Sequence, residues 1–373
     1  MAGAPNRAGL LAIAQHGRHA PIGIWLHTAM WSSMDPTWEE TTQIDPNYRL
    51  VSDGLLDSEM TLHVVVGGTF EADFAERVKY YKLTYDRLLG EWEIAAPTTV
   101  YESGAGRATI ARELGEIDPK LWSAFTTDND IDDVRIKVRY SSDGGSTWNS
   151  SGQAFGSSNT EHRKSAKILA FADKIGLAYQ DDDGVAERSK WFAFRDNSDD
   201  PLAPWAVAPI ATMEAPYSVI NSMHLHWSIA AASDGKLHFV YQDEGDGFGS
   251  RYATGEIVGD SLEWTIAENG EAQGEFPVNS ATYPQVSIDA DDRPYVFLDQ
   301  AYTVWATLLV GGSWVEPRAV SAKEDTICGN KRVNTPSRFC DMLPFAYQVY
   351  DCDAGLTSLD YGVAVGCCDG CCR

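Results

Sequence analysis

The sequence predicts an all-β chain folded as a single β-propeller of four-stranded blades, seven of them, with six as the alternative. Three observations predict it. A pair of apolar strands joined by an Asp/Gly turn recurs along the chain. The second strand of each pair is apolar at successive positions. Two further strand-like segments, often carrying a Trp, follow each copy.

The clearest copies are 165–184 (SAKILAFADKIGLAYQDDDG), 228–246 (SIAAASDGKLHFVYQDEGD) and 286–300 (VSIDADDRPYVFLDQ). Asp at each tip, joined by Gly235 in the second copy, supplies tight-turn geometry between β-branched and aromatic runs. Strands such as 237–241 and 295–298 do not alternate apolar with polar residues, so both of their faces should be covered. Sheets stacked blade against blade provide that cover. The trailing pairs 251–257 with 262–266, and 303–309 with 313–316, bring the unit to four strands. Weaker copies begin near Gly9, Tyr48 and Leu121, and an incomplete one, 345–350 with 358–365, would close the ring.

One segment breaks the pattern. Residues 104–120 (GAGRATIARELGEIDPK) are rich in helix formers and place Ile110, Leu114 and Ile117 on one helical face, which predicts a short helical insertion. The expected organisation is thus a propeller body over residues 1–321 and a Cys-rich tail over 322–373 that completes the last blade.

With 373 residues, 44% hydrophobic and 22% charged, the chain can bury a large core. Its formal net charge of −25 disfavours nucleic acid and anionic membranes, and no Lys/Arg cluster suited to a phosphate backbone occurs. No apolar run is long enough to span a bilayer. The start, 1–23, does not read as a secretory leader, because Gln15, His16 and Arg18 interrupt its short apolar stretch.

All seven cysteines stand at or after position 328: Cys328, Cys340, Cys352, Cys367, Cys368, Cys371 and Cys372. A cysteine-free body with a cysteine-dense tail predicts disulfides in an oxidising setting, and the odd number leaves one thiol free or bonded to another chain. The expected place is therefore extracellular, on a cell-surface appendage or in a virion.

The most specific motif is 141–148 (SSDGGSTW). Asp143 is placed to accept backbone N–H groups across a hairpin turn, Gly145 to adopt positive φ, and Trp148 to pack between blades, with Ser141 opening the turn. The stretch matches S-x-D-x-G-x-T-W and resembles the Asp-box (BNR-repeat, sialidase-like) propellers. That family includes sialidases, polysaccharide lyases and hydrolases, and non-enzymatic glycan-binding propellers. The resemblance implies a structural role for Ser141, Asp143, Gly145 and Trp148, away from any active site. The R-I-P motif that carries the first substrate arginine of sialidases is absent; Arg18 and Arg49 are the nearest arginines.

Candidate ligand residues stand where innermost strands are expected to open: Tyr48 and Arg49, Trp122, His162 and Arg163, Trp227, and Tyr283, with His224 and His226 as the imidazoles available for proton transfer. Aromatic faces stack on sugar rings, and Arg pairs with a uronate or sialate carboxylate. Each of these side chains would equally suit packing between blades. Asp-rich turns offer oxygen ligands for Ca²⁺, at Asp128, Asp130 and Asp132 or at Asp181 and Asp183. Asp133 and Arg139 stand where an EF-hand loop needs Gly and Glu, so that particular loop is not expected. Solvated hairpin turns are the competing reading.

The functional expectation is a structural and adhesive propeller that faces a glycan or polysaccharide and associates with itself or with neighbouring subunits through tail disulfides. The alternative is a secreted glycan-degrading enzyme, either hydrolase or lyase.

Overall fold

A computed structural model describes residues 9–16, 23–30, 37–46, 51–67, 77–86, 88–102, 106, 108–127, 135–156, 165–182, 187–214, 227–243, 249–259, 261–266, 282–300, 303–320, 332–335, 337–338, 346–348 and 362–365. Every regular element among them is a β-strand. No helix among the described residues is long and apolar enough to cross a membrane.

The strands form successive antiparallel sheets in chain order. The first sheet holds β1 (Gly9–His16), β2 (Gly23–Met30) and β3 (Thr37–Asp45). The second holds β4 (Val51–Leu56), β5 (Thr61–Val66), β6 (Val78–Asp86) and β7 (Glu91–Ile94), with β8 (Thr98–Tyr101) also on β6. The third holds β9 (Ala108–Arg112), β10 (Leu121–Thr126), β11 (Ile136–Ser141) and β12 (Asn149–Phe155). The fourth holds β13 (Ser165–Phe171), β14 (Lys174–Asp182), β15 (Glu187–Asp196) and β16 (Ala206–Glu214). The fifth holds β17 (Trp227–Ala231), β18 (Leu237–Asp243), β19 (Gly249–Val258) and β20 (Ser261–Ile266). The sixth holds β21 (Thr282–Ile288), β22 (Pro294–Gln300), β23 (Thr303–Val310) and β24 (Ser313–Trp314), with β25 (Arg318–Ala319) also on β23.

A two-stranded sheet, β26 (Arg332–Asn334) with β27 (Ala346–Gln348), follows. The final strand, β28 (Gly362–Val365), returns to the first sheet and pairs with β1 as its fourth member. The seven- and six-bladed expectations thus differ only in how the β26–β27 sheet is counted.

Packing explains why the sheets stack. Each of the five larger buried clusters joins two consecutive sheets. Ile24, Leu26 and Ile44 meet Leu62, Val64 and Val66, and Val65, Val78 and Tyr80 meet Ile110, Leu121 and Phe125. Trp122, Val138 and Phe155 meet Ile168, Leu177 and Trp205. Phe171, Phe192 and Phe194 meet Trp227, Phe239 and Leu262, and Val240 meets Val286, Ile288 and Val296. On β5 the consecutive residues Val64 and Val65 therefore serve opposite interfaces, which accounts for six buried positions in a row. This is the two-sided cover that the unalternating second strands require.

The strands β4, β9, β13, β17 and β21 lie side by side as the innermost strands of their sheets, and β28 lies beside β4. Up-and-down connectivity then gives the ring two distinct ends. Turns joining first to second and third to fourth strands lie on one end, the hairpin face. Connections from second to third strands, and from one sheet to the next, leave from the other, the loop face.

Residues 108–112 correct the expected helical insertion: they are β9, the innermost strand of the third sheet, paired residue for residue with Leu121–Phe125. Ile110 is buried, Leu114 half-buried and Ile117 97% exposed, so the three share no apolar face. Helix propensity amounts to a few tenths of a kcal/mol per residue and yields to a ladder that also buries Ile110 against the second sheet. In consequence Leu121–Thr126 is the second strand of its sheet, and β1 likewise stands second to β28.

Candidate functional site

The turn between β11 and β12, the outer pair of the third sheet, is built from its own side chains. Ser141 Oγ donates to Asp143 Oδ1 at 2.8 Å and accepts the Gly145 N–H at 2.8 Å. Asp143 Oδ1 accepts the Thr147 N–H at 2.8 Å, and its Oδ2 accepts the Thr147 hydroxyl at 2.6 Å. Gly144 and Gly145 both hold positive φ, 67° and 92°. Bonds from Thr147 and Ser141 hold the exposed Asp143 carboxyl down to about 2.

That depression makes the turn acid-sensitive. A folded pKa of about 2 against an ordinary 3.8 contributes stability above about pH 4 that is lost as pH falls towards 2. Asp143→Asn is expected to flatten this part of the stability profile in urea unfolding. An unchanged slope would refute the assignment.

The same turn clamps the second sheet. Tyr80 on β6 donates its hydroxyl to the Gly144 carbonyl at 3.3 Å, and Thr98 donates to the Gly145 carbonyl at 2.7 Å. Trp148 meets the Tyr80 ring edge-on, centroids 5.4 Å apart. Behind Tyr80, His63 Nδ1 lies 2.7 Å from its hydroxyl, and His63 Nε2 lies 3.2 Å from Asp57 Oδ2. Burial, with the Asp57 charge second, pushes the Tyr80 phenol far above its ordinary range, so it acts as a fixed donor and does not titrate.

A second copy of the arrangement stands between the fifth and sixth sheets. His238 Nδ1 bonds the Tyr252 hydroxyl, and Trp314 meets the Tyr252 ring edge-on at 5.1 Å. Burial lowers the His238 imidazole to about 4, so it is neutral at physiological pH. In both sets the His and the Tyr are buried between two sheets, and the Trp that meets the Tyr ring is half-buried.

Near the axis the innermost strands carry a polar set. Lys167 on β13 reaches across β9 to Asp53 on β4, Nζ to Oδ2 at 2.6 Å, and the same Oδ2 accepts the Ile110 N–H at 3.1 Å. Thr109 Oγ1 accepts the Ile168 N–H at 2.9 Å. Ser165, Lys167, Ser228 and Gln285 are half-buried polar positions of their strands. Lys167 thus supplies a positive group beside the axis, anchored by a carboxylate that is itself 5% exposed.

This geometry can be set against known proteins. The fold is that of a β-propeller. No family model matches the chain, and no curated protein matches it in sequence. Solved structures do match. The periplasmic gluconolactonase PpgL of Pseudomonas aeruginosa aligns over 96% of this chain and 97% of its own, at 12% identity and a TM-score of 0.54. A point mutant of the NanB sialidase of Streptococcus pneumoniae aligns over 86% of this chain and 68% of its own, at 9% identity and a TM-score of 0.49. The Aleuria aurantia fungal lectin, described as a six-bladed β-propeller that recognises fucose, aligns over 84% and 96%, at 11% identity and a TM-score of 0.48. At such identities the similarity concerns the fold.

The propeller places the predicted ligand residues unevenly. Trp122 is the second residue of β10, which as a second strand starts at the hairpin face; Trp122 is fully buried, donates from Nε1 to Glu113 at 3.0 Å and carries the Arg195 guanidinium 5.0 Å from its ring centroid. Trp227 opens β17 as expected but is 1% exposed, and its Nε1 donates to Ser165 Oγ at 3.0 Å. Both tryptophans pack between sheets, because an indole at a strand start fills an interface as well as it faces a ligand. Tyr283 lies in β21, with its side chain outside the described residues. Tyr48, Arg49, His162, Arg163, His224 and His226 also lie outside them, in the segments between β3 and β4, β12 and β13, and β16 and β17. Of the acidic turns only Asp181 is described, at the end of β14; Asp128, Asp130, Asp132 and Asp183 are not, nor is any cysteine.

Two features escaped sequence reasoning. The Asp53–Lys167 pair joins residues far apart in the chain and has no local signal. The other was read only in part, as a Trp in some trailing segments: Trp38, Trp92, Trp148, Trp205, Trp264 and Trp314 each stand in or next to the outermost strand of one sheet, the first to the sixth in turn. A single aromatic at a steady interval marks the blade repeat better than the degenerate turns do.

Proposed function

We propose that this chain is a glycan-facing propeller of the Asp-box kind. It works outside the cytoplasm as an adhesive and structural component of a virion, appendage or surface layer, and its C-terminal cysteines join it to neighbouring subunits. One observation carries the reading. The segments holding Tyr48, Arg49, His162, Arg163, His224 and His226 all run from an outermost strand to the next innermost one, so their flanking strand ends all belong to the loop face. Lys167 stands two residues beyond the opening of β13 on that side. Arg and Lys pair with sugar carboxylates, and Tyr and His supply stacking faces and hydrogen bonds. The self-bonded turn at Ser141–Trp148 supports the Asp-box assignment, and the odd number of cysteines supports the covalent link.

The test is the double variant Arg163→Ala/His226→Ala on a glycan array that includes uronate- and sialate-bearing sugars. Binding is expected to fall by about tenfold or more with the melting temperature unchanged, since each Arg–carboxylate pair contributes roughly 1.5–3 kcal/mol. Unchanged binding would overturn the site. Release of reducing or unsaturated ends from an acidic polysaccharide would instead establish an enzyme.

A further inference from the structure

The hairpin face carries a recurrent feature that the loop-face reading leaves unused. Leu88 and Leu89 in the β6–β7 turn are 96% and 68% exposed, Ile117 in the β9–β10 turn 97%, and Leu202 in the β15–β16 connection 62%. Val258, beside the β19–β20 turn, is 54% exposed, and Val310, beside the β23–β24 turn, is 47%. All of these turns join first to second or third to fourth strands, so the aliphatic groups belong to one end of the ring and to five consecutive sheets. Exposed aliphatic residues scattered singly need no explanation, but a set gathered on one face does.

Two of the tips are physically joined. The Asn197 side chain donates to the Leu114 carbonyl at 3.3 Å, and Lys120 Nζ donates to the Asn197 carbonyl at 3.5 Å. The turn bearing Ile117 is therefore tied to the connection bearing Leu202.

The charge around these tips is acidic. Glu116 and Asp118 flank Ile117 and are exposed, and Asp200, two residues before Leu202, is exposed as well. Nearby cations are already engaged: Lys120 pairs with Glu113, Lys174 pairs with Asp173 and Asp196, and Arg195 is buried. A second copy of the same face would set carboxylates against carboxylates, and an anionic membrane would be repelled by a chain of net charge −25. We infer that the hairpin face docks a basic, apolar polypeptide segment, in which Lys or Arg alternates with aliphatic residues. The aliphatic tips would supply buried area and the carboxylates orientation.

The test uses the full chain and a synthetic amphipathic Lys/Leu peptide, with a Lys/Ser peptide of equal charge as control, read by calorimetry at physiological salt. The Lys/Leu peptide is expected to bind at least about tenfold more tightly than the Lys/Ser peptide. Ile117→Ser/Leu202→Ser should remove most of that tenfold difference. Circular dichroism checks that the variant folds, and Glu116→Gln/Asp118→Asn should weaken both peptides. Equal affinity for the two peptides, or an unchanged preference in the Ile117/Leu202 variant, overturns the proposal. So does sedimentation of the wild type, but not the variant, as a dimer, or variant-sensitive binding to phosphatidylcholine vesicles. Glycan binding at the loop face should be untouched in every variant, which separates this proposal from the preceding one.

Discussion

Deleting residues 358–373 is expected to lower the melting temperature by on the order of 10 °C, whereas deleting only 366–373 should leave it nearly unchanged. The first deletion removes β28, the strand that pairs with β1 through Leu11–Val365, Ala12–Ala364, Ile13–Val363 and Ala14–Gly362. At about 1 kcal/mol per hydrogen bond, losing this short ladder costs several kcal/mol, and β1 is left as an open sheet edge beside the axis. The second deletion keeps β28 and removes Cys367, Cys368, Cys371 and Cys372 with the tail. Scanning calorimetry of the two truncations, each with and without reductant, separates strand pairing from crosslinking. Equal melting of the full chain and the longer deletion would show that β28 does not hold the ring.

Gly145→Ala is expected to destabilise the protein by about 3 kcal/mol, and Gly144→Ala by about 1 kcal/mol. Both glycines hold positive φ, so each substitution carries the backbone penalty of a left-handed residue. They differ in surroundings: a Cβ on Gly144 meets nothing within 4 Å, whereas one on Gly145 would stand 2.1 Å from Tyr80 Cε1. Tyr80 cannot retreat easily, because His63, the Gly144 carbonyl and Trp148 fix its ring in the interface between the second and third sheets. Urea unfolding of the two variants isolates the steric part. Equal losses would mean that the turn is not clamped against the second sheet.

The legible and illegible parts of this chain divide by the range of the forces involved. The Ser141–Trp148 turn could be read because its bonds close within a few residues: Ser141, Asp143 and Thr147 satisfy one another. The two-sided burial of second strands was also legible, since a run such as Val64–Val66 has no polar position to turn towards water. Residues 108–112 misled because local propensity was the only guide to them, while their conformation is set by Leu121–Phe125 and by the neighbouring sheet. Trp122 and Trp227 misled for a related reason. Composition marks an indole as useful to a ligand, but whether it points to a channel or into an interface depends on the sheet beside it.

By itself, then, the sequence determined an all-β repeat, its hairpin turns and a cysteine-dense tail, because alternation, turn chemistry and residue type act over a few positions. Only the tertiary structure decided that β9 is a strand, that β28 returns to β1 and that Lys167 finds Asp53. Each of those outcomes is a contact between segments remote in the chain, selected by the packing of one sheet on the next.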